Sequence, residues 1–189
     1  ELTKGKKVTQ LGYILSNEPH WYSEEGMWNQ KYLEMTSISS YTLDKFRRWL
    51  DRKYDGNIAA LNSNWRSAFS AFSEVKIVIP MPKAIRGQPV WYDWCRFNME
   101  RSFDWFTFLQ NELHATNPGA DTQLKIMPRM CTENYRSQGI DLEALTELTT
   151  MIGDDAKADG GRSLMTPATP EKWETRYAYH WDEIAHSYD

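Results

Sequence analysis

The residue best placed for proton chemistry in this sequence is Glu18. It follows the apolar, β-prone run Val8–Ser16 and Asn17, and it is hemmed by Pro19, His20, Trp21 and Tyr22. A carboxyl group packed against aromatic walls loses solvation of its charged form, which raises its pKa toward the range useful for donating a proton. Asn17 directly before it can hydrogen-bond a substrate hydroxyl, and His20 and Trp21 are candidate contacts of the same ligand. The bland alternative is a loop carboxylate that only caps a turn or forms a surface ion pair.

Two further strand-like runs deliver polar groups at their ends. Arg129 and Glu133 follow Leu124–Pro128, and Asp154 and Asp155 follow Thr149–Gly153. Arg129, Glu133 and Asp155 are therefore candidate substrate contacts. Trp21, Trp28 and Trp91 could stack on the flat faces of sugar rings, although core packing is the commoner fate of a tryptophan. The four histidines, His20, His114, His180 and His186, show no metal-ligand spacing. Neither a Gly-rich phosphate loop nor a Gly-x-Ser-x-Gly elbow occurs, so no cofactor or metal is expected.

The elements that must position these residues follow from periodicity. Val8–Ser16 reads as a buried strand opening into a Trp/Tyr/Glu-rich loop that runs to about Ser40. Thr42 can cap a helix carrying Leu43, Phe46, Trp49, Leu50 and Tyr54, with Gly56 as its stop. Ile58, Leu61, Trp65 and Phe69 continue as a second helix. Val75–Pro82 is β-prone but ends in two prolines, which makes it an extended connection rather than a central strand. From Asp93 to His114 the pattern is helical, with Trp94, Phe97, Trp105, Phe108, Leu109 and Leu113 on one face. Leu124–Pro128 is a strand, Asp141–Leu148 a short helix and Thr149–Gly153 a weaker strand. A last helix from Glu171 carries Trp173, Tyr177, Trp181, Ile184 and Tyr188 as a stripe. Strands alternating with helices imply an α/β fold with a mainly parallel sheet, whose chemistry sits where the strands end.

Composition narrows the classes. The 189 residues carry 22 Lys plus Arg against 26 Asp plus Glu, a net charge of −4, which disfavours a nucleic-acid binder. No apolar run approaches a membrane span of about 20 residues. Nine Trp, ten Tyr and seven Phe are a surplus that suits both cores and sugar-stacking surfaces. Cys95 and Cys131 could pair or could both be thiols. The chain begins Glu1-Leu2-Thr3, without an initiator Met or a signal-type apolar segment, which fits a processed product or a fragment.

Leu11–Pro19 resembles the fourth-strand segment of retaining glycoside hydrolases with a (β/α)8 barrel, in which the proton donor follows an Asn. Phe46–Tyr54 and Ile58–Trp65 resemble the "F-x-x-W-L-x-x-K-Y … L-N-x-x-W" segment of family 42 β-galactosidases and related agarase-like enzymes. Trp91–Phe97 is similar to their following "D-x-x-R-F" helix start. The resemblance implies that Glu18 is the general acid/base and that Asn17 binds the hydroxyl next to the anomeric carbon. It implies a partial (β/α)8 barrel, strands four to six, lying within one segment over 1–189. It also implies a galactoside or agar-type carbohydrate as substrate. A non-catalytic carbohydrate-binding domain is the rival reading.

One departure from the family pattern matters. The nucleophile should be a Glu ending the seventh strand, whereas Glu171, Glu174 and Glu183 fall within the expected C-terminal helix. The chain alone is therefore expected to hydrolyse glycosides poorly. A slice of a barrel exposes two sheet edges, so the rest of the barrel or a second copy is the expected partner. No nucleic acid or membrane is expected to bind. The compartment stays open, with export slightly favoured by agar-acting relatives.

Overall fold

A computed structural model describes residues 13–25, 38–126, 136–154 and 178–180. These fall into two compact units. The first comprises the described residues up to His20, from Glu100 to Arg136, and from Ile140 onward; the second comprises those from Trp21 to Met99 together with Ser137–Gly139.

The first unit is built on a parallel sheet of four strands: β1 (Tyr13–Asn17), β2 (Thr122–Ile126), β3 (Met151–Asp154) and β4 (Ala178–His180), in that order. Tyr13 pairs with Thr122, Leu124 with Ile152 and Asp154 with His180. Parallel neighbours need crossovers, and helices lie in the β1–β2 and β2–β3 connections. The helix α3 (Pro89–Thr116) runs into this unit from Glu100, and α4 (Leu142–Leu148) follows the Asp141 cap, whose Oδ1 accepts the Ala144 N–H at 3.1 Å. Phe106, Leu124, Ile140 and Leu145 form the core, with Leu15, Phe103, Leu109, Leu142 and Leu148 packed around it.

The second unit is helical and aromatic. α1 (Ser40–Lys53) is capped by Ser39 rather than Thr42: the Ser39 hydroxyl accepts the Thr42 N–H at 3.2 Å. Thr42 thus occupies the third helical position, where an N-cap oxygen finds its donor. The helix stops at Tyr54, and the next two residues, Asp55 and Gly56, are left-handed. α2 (Ile58–Trp65) is shorter than the spacing through Phe69 suggests. The Asn62 side chain accepts the Phe69 N–H at 2.9 Å and donates to its carbonyl at 2.8 Å, which folds the chain back behind a left-handed Arg66. Val75–Pro82 is extended as expected, with one isolated parallel bridge between Met81 and Glu24. Phe46, Leu50, Leu61, Val75, Met81, Trp94 and Phe97 fill the core. Phe46 stacks on Trp49 and Trp65 and meets Trp94 edge-on at 5.0 Å.

Two further expectations need correction. α3 spans Pro89–Thr116, starting at a proline whose missing N–H costs nothing in a first turn. Its buried stripe in the first unit runs through Ser102, Phe106 and Leu113, so Trp105 and Phe108 are left about half exposed. A residue one position off a helical stripe is rotated by about 100° from it. The helix expected from Glu171 fails at Ala178–His180, which form β4; the remainder of that segment lies outside the described residues. A short strand inside an aromatic run cannot be told from a helical stripe by spacing alone, and here the β3 ladder decides.

Candidate active site

Glu18 stands at the tip of β1, and three local features aim it. Ile14 and Ser16 oppose the consecutive residues Gln123 and Leu124, so Leu15 is the extra residue of a β-bulge. Bulges re-aim side chains at barrel rims and beside active sites. The Glu18 N–H then donates to the Lys125 carbonyl at 2.7 Å, one ladder step beyond the strand. Finally, Glu18 adopts φ of +48°, which turns the chain out of the sheet immediately after its side chain. A left-handed non-glycine residue is disfavoured by roughly 1–2 kcal/mol, so the surrounding contacts must hold it. His20 contributes: its Nδ1 lies 2.7 Å from the Glu18 carbonyl oxygen.

The alternation of β2 shows which face this tip serves. Thr122 and Leu124 point toward the helices, Thr122 donating to Gln110 Oε1 on α3 at 2.7 Å and Leu124 filling the core. Gln123 and Lys125 therefore occupy the opposite face of the sheet. Asn17 pairs directly with Lys125. The Lys125 ammonium lies 3.5 Å from Glu18 Oε1, the two side chains being 15% and 30% exposed. Gln123 is fully buried, and neither atom of its amide finds a hydrogen bond among the described residues. The sheet face away from the helices thus carries an amide, an ammonium and a carboxylate in ascending order toward the strand tips.

Asn17, Glu18 and His20 are brought together in the first unit. Trp21 belongs to the second. Its N–H donates to the Gln138 carbonyl at 2.8 Å and its carbonyl accepts from Asn98 Nδ2 at 2.7 Å, so its backbone is tied down while its side chain is half-buried. Trp91 is not an open platform: it is buried in the aromatic core of the second unit, and its indole N–H donates to Glu24 Oε2 at 3.0 Å. Glu24 is itself fully buried and also accepts from Arg86, which holds the guanidinium still further toward its charged form. Trp28, Arg129, Glu133 and Asp155 lie outside the described residues. Asp154 ends β3 opposite Ile126 and His180. Cys95 is buried in the core of the second unit, and Cys131 lies outside the described residues.

Sequence reasoning missed Lys125 and the bulge. A signal for Lys125 was present, because a charged residue in the middle of Leu124-Lys125-Ile126 is costly in a buried strand unless it has a partner. No such signal marks the bulge, since it depends on the register between two distant strands.

The family model described as β-galactosidase, glycoside hydrolase family 42, matches residues 27–167. Among solved structures, the apo exo-carrageenase of that family from Bacteroides ovatus is 40% identical over 98% of this chain, with a TM-score of 0.71, and the match covers 24% of its own length. Two β-galactosidases share the fold. That from Marinomonas ef1 is 18% identical over 74% of this chain and 20% of its own, and that from Rahnella sp. R3 is 21% identical over 73% and 19%; both have a TM-score of 0.51. No curated protein gives a significant match. The chain thus spans about a quarter of the length of the carrageenase it resembles. With a family model over most of its length and a solved relative at 40% identity, this chain belongs to glycoside hydrolase family 42, and its parallel strands are part of that family's (β/α)8 barrel.

Proposed function

We propose that this chain is the acid/base-bearing part of a retaining glycoside hydrolase that cleaves galactosidic bonds in galactans of the agar or carrageenan type. The observation that carries this reading is the position of Glu18: next to Asn17, at the tip of a parallel strand of a family 42 barrel, and within 3.5 Å of Lys125.

In a retaining enzyme a carboxylate attacks the anomeric carbon while a carboxylic acid protonates the departing oxygen; the two groups lie about 5–5.5 Å apart, too close to admit a water between them. Glu18 takes the second role. It gives its proton to the leaving oxygen, and as a carboxylate it then accepts a proton from the water that attacks the glycosyl-enzyme. Asn17 holds the hydroxyl beside the anomeric carbon. Lys125 keeps the Glu18 carboxylate in place between the two steps. The nucleophile is a second carboxylate of the barrel. The exposed edges of β1 and β4 are covered by the remaining barrel strands.

The test is chemical rescue of Glu18→Ala in the full-length protein. With a 2,4-dinitrophenyl galactoside, which needs no acid, the variant accumulates a glycosyl-enzyme; azide then restores turnover and yields the glycosyl azide of retained configuration. A variant as active as the parent on substrates with poor leaving groups, or deaf to azide, removes Glu18 from the acid/base role.

A further inference from the structure

The second unit contains an open groove of about 880 Å³ whose lining includes Ser63, Asn64, Trp65, Arg66 and Gln88. It shares no residue with the Glu18 site. Its aromatic member is held firmly: Phe46 stacks on the Trp65 ring at 6.2 Å and 25°, and the Trp65 indole N–H donates to the buried carboxylate of Asp93 at 2.8 Å. Asp93 in turn accepts from Tyr54 and Lys53, so its charge is compensated behind the groove. A tryptophan with its polar edge satisfied and its position set offers a ring surface without loss of conformational freedom on binding.

The polar lining adds charge selectivity. Asn64 spends one amide hydrogen on Tyr54, at 2.8 Å, and Gln88 makes one long bond of 3.3 Å to the Ala84 carbonyl. Each thus keeps polar capacity for a ligand. Arg66 is exposed and left-handed at φ of +57°, and among the described residues it has no ion pair and the groove has no carboxylate in its lining. Non-glycine residues held left-handed cluster at functional sites. An aromatic ring, amides and a hydroxyl suit a sugar ring, whereas an uncompensated guanidinium suits an anion and presents donors in the fork that oxyanions accept.

We propose that this groove is a second carbohydrate site, taking a galactan hexose that bears an anionic substituent such as a sulfate ester. Such a site would favour charged chains over neutral ones.

The experiment is calorimetric titration of the full-length protein in a Glu18→Gln background, so that ligand is not consumed, with a sulfated galactan oligosaccharide and its desulfated counterpart. Arg66→Asn is the variant, because Asn tolerates the left-handed conformation and removes the charge. The parent is expected to show two binding steps with the sulfated ligand. Arg66→Asn should weaken one of them about tenfold while melting at the same temperature, and the desulfated ligand should lack that step in both proteins. A single binding step in the parent, or identical isotherms with and without Arg66, overturns the proposal. So does equal binding of the desulfated ligand in the groove. Because these readouts are binding steps, they remain legible if Glu18 proves not to be the acid/base.

Discussion

Lys125 is where the residue scale is most informative. An ammonium 15% exposed on a sheet face is costly unless it has a partner, and Glu18 at 3.5 Å is one. A group that fixes the carboxylate should matter most where proton donation limits the rate. Lys125→Met in the full-length protein is expected to lower kcat about tenfold on substrates with poor leaving groups, with little change in KM. The loss should shrink with dinitrophenyl leaving groups, and Lys125→Arg should restore part of it. Equal losses across leaving groups would mark Lys125 as a structural residue only. The sequence made Glu18 and Asn17 legible because apolar residues running into a polar pair reveal a strand end. Lys125 needed the register of β2 against β1, which no local pattern encodes. Trp91 was misread for a related reason: the same indole serves a core or a sugar, and only burial against Glu24 distinguishes them.

At the scale of elements, Asp93 ties the second unit together. From α3 its carboxylate accepts bonds from Lys53 on α1, Tyr54 at the end of α1 and Trp65 on α2. Asp93→Ala leaves those donors without their acceptor and is expected to cost about 3 kcal/mol, read as a lower midpoint in denaturant melts. Tyr54 adds a pH dependence. Burial, followed by the bonded Asp93 carboxylate, pushes its hydroxyl up to about 12 from an ordinary 10.0, while the Asn64 bond opposes the rise. The folded state therefore holds the phenolic proton that the unfolded chain releases. This stability is fully present below pH 10 and is lost as pH rises from about 10 to about 12. Tyr54→Phe should give a flatter stability profile than the parent across that window; superimposable profiles would refute the linkage. Gly139 is a second pin. It has φ of +72°, and an added Cβ would collide with the Asn98 side chain that holds the Trp21 carbonyl. Gly139→Ala should destabilise by more than the roughly 1–2 kcal/mol of left-handed strain alone, visible in the same melts. The helices themselves were legible, since aromatic spacing and caps repeat locally. Their ends were not, because Ser39 and Asn62 set them through side-chain bonds, and Arg66 through a left-handed backbone, none of which periodicity sees.

At the scale of the whole molecule, the open sheet governs behaviour. Parallel sheets are normally covered on both faces, and a closed barrel has no edges. Among the described residues β1 and β4 each pair on one side only, and Ile14 on β1 is half exposed. Alternating strands and helices made the parallel sheet legible from sequence. The fourth strand was not, because Ala178–His180 becomes a strand through its pairing with Ile152–Asp154 rather than through its own residues. Unpaired backbone donors and acceptors along two edges recruit other strands, and a barrel segment expressed by itself can satisfy them only with copies of itself. The 189-residue chain, a 22.2 kDa polypeptide, should therefore elute in light-scattering chromatography at a mass well above the monomer. Placing charged residues on the free edge, through Ile14→Lys, should reduce that association, as edge lysines do in natural sheets. The full-length protein is expected to be insensitive to the same substitution in its own association, since a closed barrel has no free edge. A monodisperse monomer of the chain alone would show that these edges are covered from within.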